Sequence, residues 1–203
     1  MKKKIKFSVV MSIYDREDLC IHFNSTIKSV FDNSIKPNHF FLIVDGPISE
    51  KFKKKINLSK KKYLKIKVIW LKKNVGEAKA FNRVLPTINT EWVVKVDGDD
   101  YSHPNRFEEQ IKYMKKGYDL IGSQINEIDE DSNILSQRKV PLQFKEIKKF
   151  SKFRNPFNHM TIAVNRKKIL KLGGYPEIYL KEDYGLWASF IKNNYKLINI
   201  NKV

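Results

Sequence analysis

Four short apolar segments, each preceding or following a segment with helical periodicity, constrain the fold of this chain more than any other feature. They span residues 5–12, 40–44, 66–71 and 92–96. Three segments with apolar side chains at helical spacing separate them: residues 15–31, a segment that begins at Ser49, and residues 74–88. This alternation predicts a Rossmann-like α/β fold, with a mostly parallel sheet and helices on both faces. The carboxyl ends of the four strands then lie along one edge.

The second half of the chain has a different pattern. A helix is predicted from Pro104, and residues 119–128 and 134–140, separated by a turn at residues 129–133, predict a β-hairpin. Helices at residues 143–153, 166–172 and 182–193, and strands at residues 160–164 and just before Val203, complete the pattern. At 203 residues we expect a single domain over 1–203 whose two halves share one core.

The chain is strongly basic, with 40 Lys and Arg against 22 Asp and Glu, which gives a net charge of +18. Eleven lysines lie between Lys51 and Lys73. An anionic membrane surface, nucleic acid or a compositional bias of the genome would each account for this surface. Because few arginines and no nucleic-acid module accompany the lysines, we do not expect nucleic acid as a partner.

Targeting signals and cysteine chemistry are not indicated. No apolar run approaches the roughly 18 residues that span a bilayer, and residues 1–4 are not followed by the apolar stretch of a signal peptide. We therefore expect a cytoplasmic protein. The single cysteine, Cys20, excludes an internal disulfide and is expected to fill the core from a helix.

An acidic cluster, Asp97-Gly98-Asp99-Asp100, ends the fourth apolar segment abruptly. Alternate residues of an extended chain point the same way, so Asp97 and Asp99 can face one ion while Gly98 lets another group approach closely. Mn2+ and Mg2+ prefer such oxygen ligands, often together with the phosphates of a substrate. An acidic loop that caps the helix near Pro104 explains this segment alone equally well.

A second pair of acids, Glu182 and Asp183, begins the last predicted helix. A carboxylate there is stabilised by the helix amino terminus and can accept a proton from an attacking hydroxyl group. Taken alone, the pair is more typical of an ordinary acidic first turn. A cation site at the sheet edge and a distant base would together suit chemistry on a nucleotide diphosphate.

Seven motifs occur in order along nearly the whole chain. They are Ser8-Val9-Val10-Met11-Ser12-Ile13-Tyr14, Ile43-Val44-Asp45-Gly46, Asn74-Val75-Gly76-x-Ala78-x-Ala80-x-Asn82, Asp97-Gly98-Asp99-Asp100, Pro104-Asn105-Arg106-Phe107-x-x-Gln110, Gly173-Gly174-Tyr175 and Glu182-Asp183-Tyr184-x-Leu186-Trp187. Together they resemble glycosyltransferase family 2, the inverting sugar-nucleotide transferases with the A-type fold. The resemblance implies a donor-binding half at about residues 1–100 and an acceptor-binding half at about residues 101–203.

The resemblance also implies roles for individual residues. The set that would bind a UDP-hexose donor is Ser12, Tyr14, Asp45, Asn74, Gly76, Lys79, Asp97 and Gly98. Asp99, with Asp97, would bind the divalent cation, Mn2+ or Mg2+, and Asp183 would be the general base with Glu182 beside it. Two departures leave the uracil and phosphate contacts open. Val44 stands where many members have an acid, and Phe81 where many have an arginine. Asp100 leaves open which acids touch the ion.

One further segment narrows the resemblance. Arg154-Asn155-Pro156-Phe157-Asn158-His159-Met160-Thr161, with Asp45-Gly46-Pro47 and Arg138-Lys139-Val140-Pro141, is similar to bacterial transferases that add the second sugar of an O-antigen or capsule repeat. There, galactose or glucose is joined β1,3 to an N-acetylhexosamine on undecaprenyl diphosphate. The acceptor-binding residues would be Arg154, Asn158, His159 and Trp187. The protein would then work as a peripheral protein at the inner face of the cytoplasmic membrane. For His159, a buried structural role is the alternative.

Two other functions are compatible with parts of the sequence. A sugar nucleotidyltransferase shares the sheet and the metal-binding acids, but it normally has a glycine-rich phosphate loop after its first strand, and residues 12–16 contain no glycine. A non-enzymatic basic protein that binds membranes or nucleic acid would explain the lysines and leave the acids without a purpose.

Overall fold

The computed structural model describes residues 4–203. Residues 1–3, on which part of the signal-peptide prediction rests, lie outside the described residues. The strands are β1 (Phe7–Ile13), β2 (His39–Asp45), β3 (Ile66–Leu71), β4 (Trp92–Lys95), β5 (Leu120–Ser123), β6 (Ile125–Ile128), β7 (Ile134–Arg138), β8 (Ala163–Asn165) and β9 (Leu197–Ile200). The helices are α1 (Glu17–Asp32), α2 (Glu50–Lys62), α3 (Glu77–Val84), α4 (Arg106–Lys115), α5 (Phe144–Phe150), α6 (Arg166–Lys171) and α7 (Glu182–Lys192).

A seven-stranded sheet in the order β3-β2-β1-β4-β8-β5-β9 forms the centre of the molecule. Strand β8 runs antiparallel to both its neighbours, whereas the other neighbouring pairs are parallel. The carboxyl ends of β1, β2 and β4 therefore lie at one edge, where open α/β sheets bind ligands. Residues from both halves of the chain contribute strands to this sheet.

Alternate residues of the strands face two separate hydrophobic cores. Val9 and Met11 of β1 belong to the core that packs against α1, α2 and α4. Val10, between them, belongs to the core that packs against α3, α5, α6 and α7. This follows from the two-residue repeat of an extended chain. It places α2 and α7 on opposite faces of the sheet.

The predicted strand at residues 119–128 is divided in the structure. Strand β5 stays in the central sheet, whereas β6 leaves it and pairs antiparallel with β7 as a hairpin. Gln124 lies at the break, and its side chain is buried. This side chain donates to the backbone carbonyl of Val140 at 3.1 Å and accepts from the backbone N–H of Val140 at 2.7 Å. A polar side chain that takes over backbone pairing ends the strand locally.

The strand predicted at residues 160–164 is also wrong in its first part, since a 3-10 turn occupies His159–Thr161 and β8 begins at Ala163. Most other segments differ only at their ends. Helix α3 ends at Val84 and a 3-10 turn over Leu85–Thr87 follows, as expected from Pro86. Cys20 lies on α1 and is buried, as predicted. No helix within residues 4–203 combines the length and apolar character that a bilayer-crossing helix requires.

Candidate active site

The loop between β3 and α3 is held to the end of β2 by one carboxylate. The two oxygens of Asp45 accept hydrogen bonds from the backbone N–H groups of Val75 and Gly76, each at 2.9 Å. Asn74 also accepts from the N–H of Gly76, at 3.1 Å. Three predicted donor-binding residues, Asp45, Asn74 and Gly76, are therefore brought together at the sheet edge.

Strand β1 brings Ser12 and Tyr14 beside them. Ser12 is paired in register with Ile43 of β2, two residues before Asp45. Tyr14 follows the strand and is exposed, and its hydroxyl group accepts a hydrogen bond of 3.2 Å from Arg16. The ends of β1 and β2 thus form one polar rim.

The acidic cluster follows β4 at the same edge, and its members have different surroundings. Asp97 accepts a hydrogen bond from the Nζ of Lys95. Asp99 is half exposed, and its Oδ2 lies 2.7 Å from Nη2 of Arg16, which also binds Asp18 at 2.6 Å. Arg16, in the loop after β1, is therefore shared between Asp18 and Asp99.

Asp100 is the least satisfied acid of the cluster. Its Oδ2 is buried and has no hydrogen-bond partner within residues 4–203. Burial, followed by the negative charges of Asp97 and Asp99, raises the pKa of Asp100 to about 6. The buried guanidinium group of Arg106 is part of the same surroundings and donates to the carbonyl oxygens of Lys95 at 2.6 Å and Met160 at 2.8 Å.

Gly98 is required by packing inside the protein. A Cβ atom there would lie 2.9 Å from Cγ2 of Ile13 and 3.0 Å from Cδ2 of Leu19. Its carbonyl oxygen accepts a 3.0 Å hydrogen bond from Thr26. The close approach predicted at Gly98 is therefore made by side chains of β1 and α1 of the protein itself.

The predicted base lies in the first turn of α7, and two neighbours fix it. Oδ2 of Asp183 accepts a 2.5 Å hydrogen bond from the side chain of Asn155, and Oδ1 accepts one of 2.6 Å from the backbone N–H of Tyr184. These bonds hold the carboxylate in one orientation.

A buried tyrosine connects the two groups of acids. Burial, and then the charges of Glu77, Asp183, Asp97 and Glu182 in that order, raises the pKa of Tyr175 well above its ordinary value. The hydroxyl group of Tyr175 is hydrogen-bonded to His159, and Nδ1 of His159 lies 3.9 Å from Oε2 of Glu77 on α3. Residues that lie more than eighty positions apart in sequence therefore share one site.

The sequence profile of the family described as Glycosyl transferase family 2 matches residues 8–173 of this chain. The chain belongs to glycosyltransferase family 2. This membership favours a glycosyltransferase over the two alternatives that the sequence alone left open, a nucleotidyltransferase and a non-enzymatic basic protein.

Two bacterial glycosyltransferases are among the relatives of this chain. The Escherichia coli UDP-Gal:alpha-D-GlcNAc-diphosphoundecaprenol beta-1,3-galactosyltransferase is 34% identical over 203 residues, which are 98% of this chain and 72% of that protein. The amylovoran biosynthesis glycosyltransferase AmsE of Erwinia amylovora is 30% identical over 199 residues, which are 97% of this chain and 74% of that protein.

Solved transferases share the fold. The mannosyltransferase PcManGT from Pyrobaculum calidifontis, in complex with GDP-Man and Mn2+, superposes with a TM-score of 0.74 at 12% identity, over 100% of this chain and 56% of that one. The 1–349 portion of S. aureus TarS, in complex with UDP, gives 0.75 at 19% identity, over 98% of this chain and 59% of that one. The predicted A-type fold with a mostly parallel sheet is confirmed. The chain spans less than two thirds of these two solved structures.

The oxygen donors of this transferase fit a hard divalent cation. Asp99 and Asp100 offer neighbouring carboxylates, and the unpartnered Oδ2 of Asp100 lacks the protein donor that a buried oxygen normally has. No group of three or more His, Cys, Asp or Glu residues suited to a metal was found within residues 4–203. Mg2+ sites that use one or two carboxylates and substrate phosphates need no such group.

Lys95 is the principal site residue of the transferase that the sequence analysis missed. Its side chain is buried, and its Nζ lies 2.8 Å from Oε1 of Glu77 and also binds Asp97. Burial alone would lower the pKa of Lys95, but the charges of Asp97 and Glu77 outweigh it and raise that pKa. A lysine inside an apolar strand directly before three acids is a signal that could have identified it, since buried charges need partners.

His159 belongs to the interior of this network. Its Nε2 is hydrogen-bonded to the hydroxyl group of Tyr175 at 2.8 Å, and its Nδ1 lies 3.9 Å from Oε2 of Glu77. Burial, with the nearby charge of Lys95, holds the pKa of His159 well below 6.5. The imidazole is therefore neutral and helps to position Tyr175.

Two of the four predicted acceptor-binding residues do not lie on a surface. Trp187 is fully buried, with its ring centroid 5.2 Å from that of Phe157 and 5.8 Å from that of His159. Asn158 is 2% exposed and donates to the carbonyl of Ser123 at 2.9 Å. Both residues therefore support the site from the core. Trp187 does so because α7 turns its side chain toward the sheet. Arg154 is exposed.

Lys79 also has a partner within the protein. Its Nζ lies 3.2 Å from Oε2 of Glu177, in the loop before α7, and both side chains are at least half exposed. The predicted phosphate or donor contact of Lys79 would require it to exchange this ion pair, which costs little at an exposed position.

An open cleft of about 340 Å³ adjoins the acidic cluster. Asp99 and Asp100 line one side of it, and Ile125, Asn126 and Ile128 of the hairpin line the other. The hairpin that leaves the central sheet at Gln124 thus forms a wall of the site.

Proposed function

We propose that this chain is an inverting, metal-dependent hexosyltransferase that moves galactose or glucose from a UDP-sugar to a lipid-linked sugar. The acceptor would be an N-acetylhexosamine on undecaprenyl diphosphate, in O-antigen or capsule synthesis. The observation that carries the proposal is one network of contacts between the end of β4 and α7. In it Lys95 joins Asp97 to Glu77, and His159 contacts Glu77, Tyr175 and, on α7, Trp187. The 34% identity to the E. coli galactosyltransferase supports this acceptor class.

The donor is assigned to the half of the chain at about residues 1–100. Its contacts are Ser12, Tyr14, Asp45, Asn74, Gly76, Lys79 and Asp97, with Gly98 keeping the acidic loop against β1. Asp45 fixes the loop that carries Asn74 and Gly76. Asp97 is paired with the buried Lys95, whereas Asp99 is paired with the exposed Arg16, which can exchange at little cost. We therefore assign the Mn2+ or Mg2+ ion chiefly to Asp99 and Asp100, with Asp97 beside them. When bound, the ion would neutralise charge on the diphosphate of the leaving UDP.

The transfer step is assigned to Asp183. The acceptor hydroxyl oxygen attacks the anomeric carbon and forms a new C–O bond, while the bond to the diphosphate oxygen breaks and its electron pair leaves with UDP. The hydroxyl proton passes to the carboxylate of Asp183, which Asn155 holds at 2.5 Å. Attack opposite the leaving group inverts the anomeric centre. Glu182 lies next to the base and adds negative charge around it.

The acceptor is assigned to the half at about residues 101–203. We assign the lipid-linked diphosphate to Arg154, because this residue is exposed and a guanidinium group suits phosphate. The cleft beside the hairpin offers room for the sugar. The protein would work as a peripheral protein at the inner face of the cytoplasmic membrane, where such lipids carry their sugars, and would not bind nucleic acid.

Removal of single carboxylates tests the assignments. Asp183→Asn keeps the size of the side chain and removes the base, so transfer should fall about 10²-fold or more while UDP-sugar binding is kept. Asp99→Ala should weaken metal-dependent donor binding as well as transfer. Asp32→Asn, an exposed acid at the far end of α1, is the matched control and should change neither. Undiminished transfer by Asp183→Asn in a purified assay would refute the assignment of the base.

A further inference from the structure

Two exposed apolar segments lie at the amino-terminal end of α7. Phe153, after α5, is 81% exposed, and Tyr179 and Leu180, before α7, are 89% and 77% exposed. Covering such exposed apolar side chains with a partner removes apolar surface from water, which lowers the free energy. Within residues 4–203, both segments therefore present apolar surface next to the proposed base.

Contacts with α7 fix both segments in place. The hydroxyl group of Tyr184 donates to the carbonyl of Ser151, and Asn155 binds Asp183 at 2.5 Å, so the chain around Phe153 is tied to the first turn of α7. On the other side, a Cβ atom at Gly185 would lie 2.7 Å from Pro176 and 2.8 Å from Ile178, so the loop before α7 packs on the same helix.

Basic side chains flank these apolar ones. Lys152 and Arg154 adjoin Phe153, Lys149 is one helical turn before it, and Lys181 follows Leu180, and all four are exposed. Aromatic and aliphatic side chains interspersed with lysine and arginine are the composition of segments that lie in the interface of an anionic bilayer. A second copy of the chain would bring two basic surfaces together, which charge repulsion disfavours.

We propose that Phe153, Tyr179 and Leu180, with Lys149, Lys152 and Lys181, form a surface that docks on anionic lipid. We call it the apolar-basic surface. Its significance for transfer rests on the proposed function, because docking there would hold Asp183 close to a sugar carried on a membrane lipid. The apolar side chains would enter the interface, and the lysines would lie among the headgroups.

This surface replaces the lysine-rich α2 segment as the membrane-facing side. Phe52 and Ile56 of α2 pack into the core on one face of the sheet, whereas Leu186 and Phe190 of α7 pack into the core on the other. The two surfaces are thus on opposite faces, and one flat bilayer cannot cover both. Only the apolar-basic surface adjoins the proposed base.

Vesicle binding by the whole chain tests the proposal without any substrate. Vesicles of phosphatidylcholine alone and with phosphatidylglycerol would be sedimented with the protein at low and high salt. Phe153→Ser/Tyr179→Ser/Leu180→Asn and Lys149→Gln/Lys152→Gln/Lys181→Gln should each weaken binding to the anionic vesicles at least about tenfold. Asparagine suits position 180, where φ is +56°. Melting temperatures would confirm that the variants fold.

Matched controls lie on the other face. Leu58→Ser/Leu64→Ser and Lys54→Gln/Lys60→Gln/Lys61→Gln remove exposed apolar and basic groups of α2 and its surroundings and should leave vesicle binding unchanged. Absence of vesicle binding by the unaltered chain, or loss only in these controls, would overturn the proposal. So would concentration-dependent dimerisation that the apolar variant abolishes while it still binds vesicles.

Transfer assays separate this proposal from the proposed function. With an acceptor on a short, water-soluble diphosphate chain, the apolar variant should transfer as well as the unaltered protein. With the acceptor embedded in vesicles, its transfer should fall in proportion to its loss of binding. Vesicle binding that depends on this surface, with no transfer to either acceptor, would refute the proposed function and leave the docking surface standing. Equal loss with both acceptors would assign these residues to the catalytic site and overturn docking.

Discussion

Lys95 is the residue on which the arrangement of acids in the site depends. It is fully buried at the end of β4 and binds Glu77 at the start of α3 as well as Asp97. Without this cation, two acids would face each other in a largely buried place, and Asp100, Asp99 and Glu182 would add to the repulsion. The strand therefore carries a charge at the position where an apolar residue would otherwise be expected, because the acids at its end require one.

Replacement of Lys95 should destabilise the whole protein. Lys95→Met keeps the length of the side chain and leaves Glu77 and Asp97 without their cation, so the free energy of unfolding should fall by about 2–3 kcal/mol. This is less than the roughly 3–5 kcal/mol expected for fully buried pairs, because about a third of each carboxylate is exposed. Urea denaturation measures it.

Lys112→Met on α4 is the control for that substitution. Lys112 pairs with Glu109 at 2.9 Å but is half exposed, so its loss should leave the free energy of unfolding almost unchanged. Equal effects of the two substitutions would show that Lys95 is not held as a buried pair.

At the scale of elements, the amide side chain of Asn82 fixes α3 to the segment before α7. Asn82 of α3 donates to the carbonyl of Tyr175 and accepts from its N–H, both at 2.8 Å. Gly174 must be small because a Cβ atom there would overlap Oδ1 of Asn82. This explains why an Asn in α3 and a Gly-Gly-Tyr segment 91 residues later occur together. The connection aligns Tyr175 with the acids of both halves.

Alanine at the two neighbouring glycines should separate backbone strain from this contact. Gly173 and Gly174 have φ values of +86° and +89°, but only at Gly174 would an added Cβ atom meet another part of the protein within 4 Å. Gly173→Ala should cost about 1 kcal/mol from its backbone conformation. Gly174→Ala should cost about 1–3 kcal/mol more, since it also displaces Asn82. Chemical denaturation of both variants gives the difference, and equal losses would contradict the role of Asn82.

At the scale of the whole molecule, β8 joins the two halves of the site. It pairs antiparallel with β4, with Val93 opposite Val164, and thereby links the strand before the acidic cluster to the segment that leads to Tyr175 and α7. Because strands of both halves belong to one sheet, ligand binding at the β1 and β4 ends should stabilise the protein as one unit.

Donor binding should therefore raise the melting temperature only when the ion is present. A UDP-hexose with Mn2+ or Mg2+ at 100 times its Kd should stabilise the fold by about 2.7 kcal/mol, which corresponds to roughly 5–10 °C for a chain of this size. Differential scanning fluorimetry with UDP-galactose and UDP-glucose would identify the preferred sugar. GDP-mannose serves as the control, and an undiminished shift in EDTA would contradict metal-dependent binding.

The sequence by itself determined the strand and helix alternation, the edge at which Asp45 and Asp97 lie, and the family. These features follow from local periodicity, which reports the face that each residue presents to its own sheet or helix. Only the tertiary structure decided that Lys95 neutralises Glu77 and Asp97, that Asn155 holds Asp183, and that residues 119–128 divide between two sheets. Trp187 likewise became a core residue once α7 was placed. Such pairings join distant parts of the chain, and spacing along a sequence carries no record of which buried charge or amide will meet which partner.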